Sequence, residues 1–407
     1  MRILFTGLSG SIHLVRWIEQ IQGRGWDIHL FPTPYFRIHP ELKDVTVYDL
    51  EDPATAAADP TVRKVDRFGT AWGRSWRLPG RYKAANIARH VQPRFEDQAW
   101  RLARLIDRLQ PDIIHSLTLH RGGLPVLDAK PLCRKPFPTW IVSNWGSDLF
   151  LFGRTAKYRD RLNRILAECD YYWCECTRDV RLARDRGFAG TILPVIPVAG
   201  GFDLDRARAL QSGVPPSKRR TIVLKGYQDW AGRALTALYA LRLCADLLDG
   251  YKLVIYTGGR DPEAVEIAAE LFAQDTGVEV ETVKHVPHER MLEYHGRART
   301  SIGVNISDAI SISSLEAMMM GSFPIQSNTA AAGEWFIDGT SGILVPPEDP
   351  HPIAEAIRRV LTDDALVDRA AEINWKIIAE RLDRRTIAEQ VAEIYRKIAA
   401  GEPVESL

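Results

Sequence analysis

Short β-branched and aliphatic runs alternate with amphipathic helical segments along most of this chain, and that alternation admits little besides parallel α/β layers. Residues 2–5 read as a buried strand. Gly7, Ser9 and Gly10 make a tight turn, and Leu14, Ile18 and Ile21 mark one face of a helix that stops at Gly23 and Gly25. Further strands are predicted over 27–31, 112–116, 139–143, 171–175 and 191–195. The pattern then breaks. Pro194, Pro197, Gly200, Gly201, Gly213, Pro215 and Pro216 punctuate a linker. Alternation restarts over 221–225, 252–256, 279–283, 301–305, 323–326 and 342–345, and the chain reads as helical from about residue 350 onward. With 407 residues there is room for two domains of ordinary size. The expected α/β fold is therefore two Rossmann-like domains facing a cleft, over residues 1–200 and 201–380. Residues 381–407 are expected to form a helix that packs back on the first domain, its amphipathic part spanning 386–399.

Composition excludes several classes. An apolar fraction of 45%, a charged fraction of 26% and a net charge of +1 are ordinary for a globular protein. They give no general basis for binding nucleic acid. The five cysteines show no framework spacing; Cys174 and Cys176, one residue apart, suit neither a zinc ribbon nor a redox pair, so reduced core thiols are expected. The N-terminus enters a strand without the pattern of a signal peptide, and no apolar run reaches the roughly 18 residues of a bilayer span. A cytoplasmic protein is the expectation. One stretch, 62–108, is locally basic, with Arg63, Lys64, Arg74 and Arg81 among its cations and Trp72, Trp76 and Tyr82 interleaved. It suits a solvated, locally paired face as well as peripheral contact with anionic lipid at the inner membrane face or with a phosphate-bearing acceptor.

The stretch 307–321, SDAISISSLEAMMMG, carries the most chemistry. A predicted strand runs into a loop and then a helix beginning near Ser313 or Ser314, and ligands of doubly wound sheets sit at such turns. Unpaired N–H groups at the helix start suit a diphosphate, with Ser311, Ile312, Ser313 and Ser314 around it. Glu316, one turn in, can accept two hydrogen bonds from a vicinal diol such as a ribose, and Asp308 can accept from sugar hydroxyls. By spacing alone, a first-turn glutamate favoured by the helix dipole and a turn aspartate are slightly the better descriptions.

The stretch 307–349, with LEAMMMGSFPIQSN followed by GEWFIDGTSGILVPPEDP, resembles the donor-binding core of the retaining GT-B enzymes of glycosyltransferase family 4. The N-terminal RILFTGLSGSIHLVRWIEQIQGRGWDIHLF, the PDIIHSL around His115 and the C-terminal EINWKIIAERLDRRTIAEQVAEIYRKI match the family in character. The resemblance implies a GT-B fold, a nucleotide-sugar donor (UDP- or GDP-linked) in the C-terminal domain and an acceptor in the N-terminal domain. It also implies retention of anomeric configuration with no metal and no cofactor. Glu316 would then hold the ribose, and Asp308 stands where the family usually has glutamate. Arg233 falls at the family's phosphate-binding lysine and Gln228 where its arginine is expected, with Lys225 nearby as a substitute cation. Glu334 lies in a loop resembling the family's donor-side loop. In SNWGSDLF, Trp145 takes the place of the family's histidine before Gly-x-Asp; it can stack on a sugar but cannot accept a proton. Asp148 of that motif suits the acceptor or a turn cap.

His13 and Gly10 in the first turn, and His115 and His120 at and after the strand 112–116, complete the candidates near the cleft, His13 being grouped with Asp308, Arg233 and Lys225 as catalytic, although a lone histidine is more often structural. Asp203 and Asp205 are a weak metal pair, and Gly-x-Gly-x-x-Gly is absent. The expected function is sugar transfer from a nucleotide sugar to a glycan, lipid-linked or small-molecule acceptor, in cell-surface polysaccharide or glycoconjugate synthesis. A nucleotide-sugar epimerase, a phosphorylase or a non-catalytic transferase-like subunit are the rivals on the same fold. A two-lobed solute-binding protein is a further rival.

Overall fold

Strands apolar on both faces belong inside parallel sheets covered by helices, and the computed structural model shows two such sheets. It describes residues 1–33, 37–50, 58–66, 97–259, 261–284 and 286–405. The chain divides into one unit of Met1–Gly200 with Ala388–Leu407 and another of Gly201–Ile387.

In the first unit β1 (Arg2–Gly7), β2 (Asp27–Pro32), β3 (Thr46–Leu50), β4 (Arg63–Asp66), β5 (Ile113–Leu117), β6 (Thr139–Asn144), β7 (Tyr171–Cys174) and β8 (Thr191–Ile192) form one parallel sheet. Their order is β4-β3-β2-β1-β5-β6-β7-β8. Ile3, Leu4 and Phe5 are wholly buried at its centre. β3 and β4 escape the sequence reading because Asp49 and Asp66 interrupt their apolar patterns. Asp49 is buried and held by the Arg101 guanidinium at 2.6 and 3.2 Å, a bidentate pairing that satisfies both charges.

In the second unit β9 (Thr221–Gln228), β10 (Lys252–Gly259), β11 (Glu279–Val283), β12 (Ala298–Gly303), β13 (Phe323–Ser327) and β14 (Ile343–Val345) run parallel in the order β11-β10-β9-β12-β13-β14. Counted within the unit this is 3-2-1-4-5-6, the doubly wound order that binds nucleotides at its switch point, here between β9 and β12. β12 starts three residues earlier than the hydrophobic pattern predicts. Buried Arg299 masks its start, satisfied by the carbonyls of Val360 and Ser217 at 2.8 and 2.7 Å and by Asp364 at 2.8 Å.

The linker is not featureless. Asp203 caps a short helix, Leu204–Leu210, by accepting from Arg206 N at 2.9 Å, which gives that aspartate a structural task. The C-terminal helix Arg384–Ala400 returns to the first unit, as predicted, and joins it from Ala388 onward. There the Tyr395 hydroxyl accepts from Trp17 Nε1 at 3.0 Å and lies 2.5 Å from His115 Nδ1, while His115 Nε2 meets Ser143 Oγ at 2.7 Å. All four side chains are buried, and burial pushes the His115 pKa down to about 3. The five cysteines carry free thiols. None of the described helices is long and apolar enough to cross a membrane. Of the basic segment 62–108, residues 67–96, with Trp72, Trp76 and Tyr82, lie outside the described residues.

Candidate functional site

At the switch point of the second unit two loops are tied to each other. After β9, Asp229 Oδ1 accepts from the N–H groups of Ala231 and Gly232 at 2.8 and 2.9 Å, which folds residues 229–233 into a tight turn. That turn pairs with the chain following β12: Arg233 N donates to Val304 O at 3.0 Å and Ile306 N to Ala231 O at 2.9 Å. Only glycine fits at 232, where a Cβ would come 2.1 Å from the Tyr227 carbonyl oxygen. The turn therefore brings the end of β9 against residues 304–308.

This docking gathers three of the predicted donor-side residues. Lys225 Nζ donates to Ser311 Oγ at 3.2 Å and stands 3.7 Å from Asp308 Oδ2. Asp308 is positioned by Asn305 Nδ2 at 3.3 Å and by the N–H of Ala309 at 3.0 Å. Ser311 and Ser313 share a hydrogen bond of 2.9 Å. The helix itself is Ile312–Met319 with Ser311 as its first flanking residue, one or two residues earlier than predicted, and no side chain caps it. Its terminal N–H groups are available to an anion. Ser314 is wholly buried, and its hydroxyl has no partner among the described residues.

Glu316 is buried, and its Oε1 lies 2.6 Å from Nε2 of His288. His288 opens the helix His288–Arg297 and keeps 40% of its side chain exposed. A buried carboxylate that already meets an imidazole near solvent is suited to accept from the hydroxyls of a polar ligand. Tyr256, partly buried, reaches Ser313 through its hydroxyl, and desolvation raises its pKa well above the ordinary phenol value. His288, Tyr256 and Asn305 are the residues that sequence reasoning misses. Each is an isolated polar residue on a different element, and nothing local marks it.

Two expected clamp residues are engaged elsewhere. The Arg233 guanidinium folds back on the carbonyl of Gly232 at 2.9 Å and faces Glu348 at 3.5 Å. Gln228 Oε1 accepts from Leu235 N at 3.3 Å, at the start of the helix Ala234–Arg242. Glu334, half-buried, lies in the short turn Ala331–Glu334, which is tied to the loop after β12 by Ala331 N donating to Ala309 O at 2.6 Å. Among the described residues, no group of three or more His, Cys, Asp or Glu is arranged to hold a metal ion.

In the first unit the acceptor-side candidates also converge. The buried Asp148 carboxylate accepts from the N–H groups of Leu119, His120 and Trp145 at 3.1, 3.2 and 3.2 Å and pairs with His120 Nδ1. Burial alone would raise its pKa; the His120 contact and the N–H donors outweigh burial and hold it below the ordinary carboxylate value. Trp145 stands edge-on to His13, their ring centres 5.7 Å apart. Gly10 is exposed in the turn between β1 and the helix Ile12–Glu19.

The comparisons with known proteins agree with this geometry. The model of the family described as glycosyl transferases group 1 matches residues 211–376, and that of the glycosyl transferase 4-like family matches residues 81–170. A glycogen synthase of Mycobacterium tuberculosis is 29% identical over 120 residues, 30% of this chain. The match spans 29% of that relative's length. An alpha-D-kanosaminyltransferase of Streptomyces kanamyceticus is 33% identical over 84 residues, covering 21% of this chain and 22% of that protein. Among solved structures, the sucrose-phosphate synthase of Thermosynechococcus elongatus superposes with a TM-score of 0.71 at 18% identity, over 99% of this chain and 100% of that one. HepE of Anabaena, in complex with UDP-glucose, superposes with a TM-score of 0.64 at 13% identity, over 98% and 100%. At such identities a superposition speaks for fold, and the family model speaks for descent over residues 211–376 of the second unit. The two sheets, the return of the C-terminal helix and the superpositions give this chain the GT-B fold, and its second unit matches the glycosyl transferases group 1 over residues 211–376.

Proposed function

We propose that this protein is a retaining glycosyltransferase that moves a sugar from a UDP- or GDP-linked donor to a hydroxyl of a glycan, lipid-linked or small-molecule acceptor in polysaccharide or glycoconjugate synthesis. The observation that carries the reading is Glu316, a buried carboxylate one turn into a helix with open N–H groups at the switch point of a doubly wound sheet. In this reading Glu316 accepts from the ribose diol, sharing or exchanging its contact with His288. Asp308 accepts from sugar hydroxyls. Lys225, Ser311, Ser313 and the helix N-terminus meet the diphosphate, with Arg233 joining once it leaves its own loop. The acceptor is handled by the first unit, through His13, Gly10, Trp145, Asp148 and His120. The leaving phosphate takes the acceptor proton as the acceptor attacks from the same face, so no dedicated carboxylate base is needed. The basic segment 62–108 supports acceptor or peripheral membrane contact at the first unit.

Calorimetric titration of Glu316→Ala with UDP and GDP tests the donor assignment. The expected loss is about 10- to 100-fold in affinity for the cognate nucleotide, the worth of hydrogen bonds to a charged group. Unchanged affinity sinks the assignment. Release of nucleoside diphosphate from a nucleotide sugar supports an enzyme over a non-catalytic subunit, and its absence with every nucleotide sugar tried would count for the subunit.

A further inference from the structure

The backbone around His120 departs from ordinary strand-to-helix geometry. Thr118, a β-branched residue, sits at φ 84, a conformation that L side chains rarely adopt. It is followed by a π-helical turn, Leu119–Gly123, in which the Arg121 and Gly122 N–H groups donate to Thr118 Oγ1 at 3.2 Å each. Gly122 packs so close to β1 that a Cβ would lie 2.5 Å from the Thr6 carbonyl oxygen. Strain of this kind persists only where the surroundings over-determine it, and π-turns gather at functional sites. The segment leaves β5 beside β1, the switch point of the first sheet, where ligands of such sheets bind.

The strain has a consequence for one side chain. Three backbone N–H groups already satisfy the Asp148 carboxylate, yet it also engages His120 Nδ1. A carboxylate at Nδ1 keeps the proton on that nitrogen and leaves Nε2 with the lone pair. The ring is pinned on one side by Phe152, at 4.4 Å between centres, and edge-on by Tyr158 at 6.2 Å. Its side chain remains 16% exposed. A fixed lone pair beside aromatic rings suits a sugar, which offers hydroxyl donors and apolar C–H faces.

We propose that Nε2 of His120 accepts a hydrogen bond from a hydroxyl of a sugar acceptor, with Asp148 as the positioning residue that fixes the ring. The proposal rests on the glycosyltransferase reading. It adds that the acceptor ring is monosaccharide-like at this subsite and is recognised by imidazole, a role Trp145 cannot fill because its indole nitrogen is only a donor.

The test uses the whole protein and methyl α-D-glucoside as probe. Binding is followed by saturation-transfer NMR in the wild type, His120→Ala, His120→Gln and Asp148→Asn, with histidine ¹⁵N spectra and UDP and GDP titrations on the same samples. The wild type should bind the glucoside and show one ring with a protonated Nδ1 and a bare Nε2. His120→Ala should lose at least about 10-fold in glucoside binding while nucleotide affinity holds, the amount one good hydrogen bond supplies. Asp148→Asn should weaken glucoside binding and turn the tautomer over, which a purely structural aspartate would not do. Equal binding in all four proteins, no binding in the wild type, or a bare Nδ1 there would overturn the proposal. Loss of nucleotide binding by the wild type would instead sink the donor reading, so the two failures are separable.

Discussion

In the proposed reading, Lys225 divides binding from rate. Its ammonium lies between Ser311 Oγ and the Asp308 carboxylate, while the guanidinium of Arg233 is turned toward its own loop carbonyls and Glu348. A cation in that position matters most when charge grows on a leaving diphosphate. Lys225→Met should therefore lower kcat for sugar transfer by about 100-fold, with a smaller change in donor KM. Steady-state kinetics with the cognate nucleotide sugar checks this; a rise in KM alone would mean that the lysine only binds the ground state. Glu316 was readable as a candidate because it stands in a family-like string. Its partner His288 was not, because the two are joined only by the packing of two helices 28 residues apart.

At the scale of elements, the turn after β9 shapes the candidate site of the second unit, and the C-terminal helix closes a buried polar network in the first. Gly232→Ala would drive a methyl group into the Tyr227 carbonyl. The turn must then shift, at a cost of about 1–3 kcal/mol as for other overpacked positions. Urea unfolding should register the loss, and nucleotide affinity should fall with it as Lys225 and residues 304–308 separate. In the first unit, Tyr395→Phe removes the hydroxyl that Trp17 Nε1 and His115 Nδ1 share in a fully buried setting. Leaving those two groups without a partner should cost about 2–4 kcal/mol, at 1–3 kcal/mol for each unsatisfied group with partial relaxation. Denaturant midpoints of the two proteins compare directly, and a change under about 0.5 kcal/mol would show that the network contributes little. The alternation of strands and helices and the breaks at Gly200 and Gly201 were legible. β3, β4 and the early start of β12 were not, since Asp49, Asp66 and Arg299 interrupt the apolar pattern and are tolerated only because tertiary partners reach them.

For the molecule as a whole, buried neutral histidines make stability fall in acid. Burial lowers His115 to about 3 in the first unit and His295 to about 4 in the second. An unfolded histidine titrates near 6.5, so both contributions are complete above that pH. They are lost as the pH falls from 6.5 toward the folded values, because the unfolded chain then binds protons that the folded chain refuses. Each histidine contributes a slope of about 1.4 kcal/mol per pH unit in that window, or about 2 kcal/mol between pH 6.5 and pH 5. Thermal unfolding of His295→Gln should show a shallower acid dependence than the wild type. Identical slopes would mean that His295 is already protonated in the fold.

The amino-acid sequence alone determined the parallel α/β class, the two-unit division and the return of the C-terminal helix, and it marked the stretch 307–321 as the candidate site. These are carried by local signals: period, punctuation and a contiguous motif that a single element can express. The tertiary structure alone decided that Lys225, Asp308 and Ser311 meet and that His288 faces Glu316. It also decided that Arg233 and Gln228 serve their own loop and helix, and that Asp148 fixes His120. Such pairings join strand ends far apart in the chain, and only the order and register of the sheets bring them within hydrogen-bond distance.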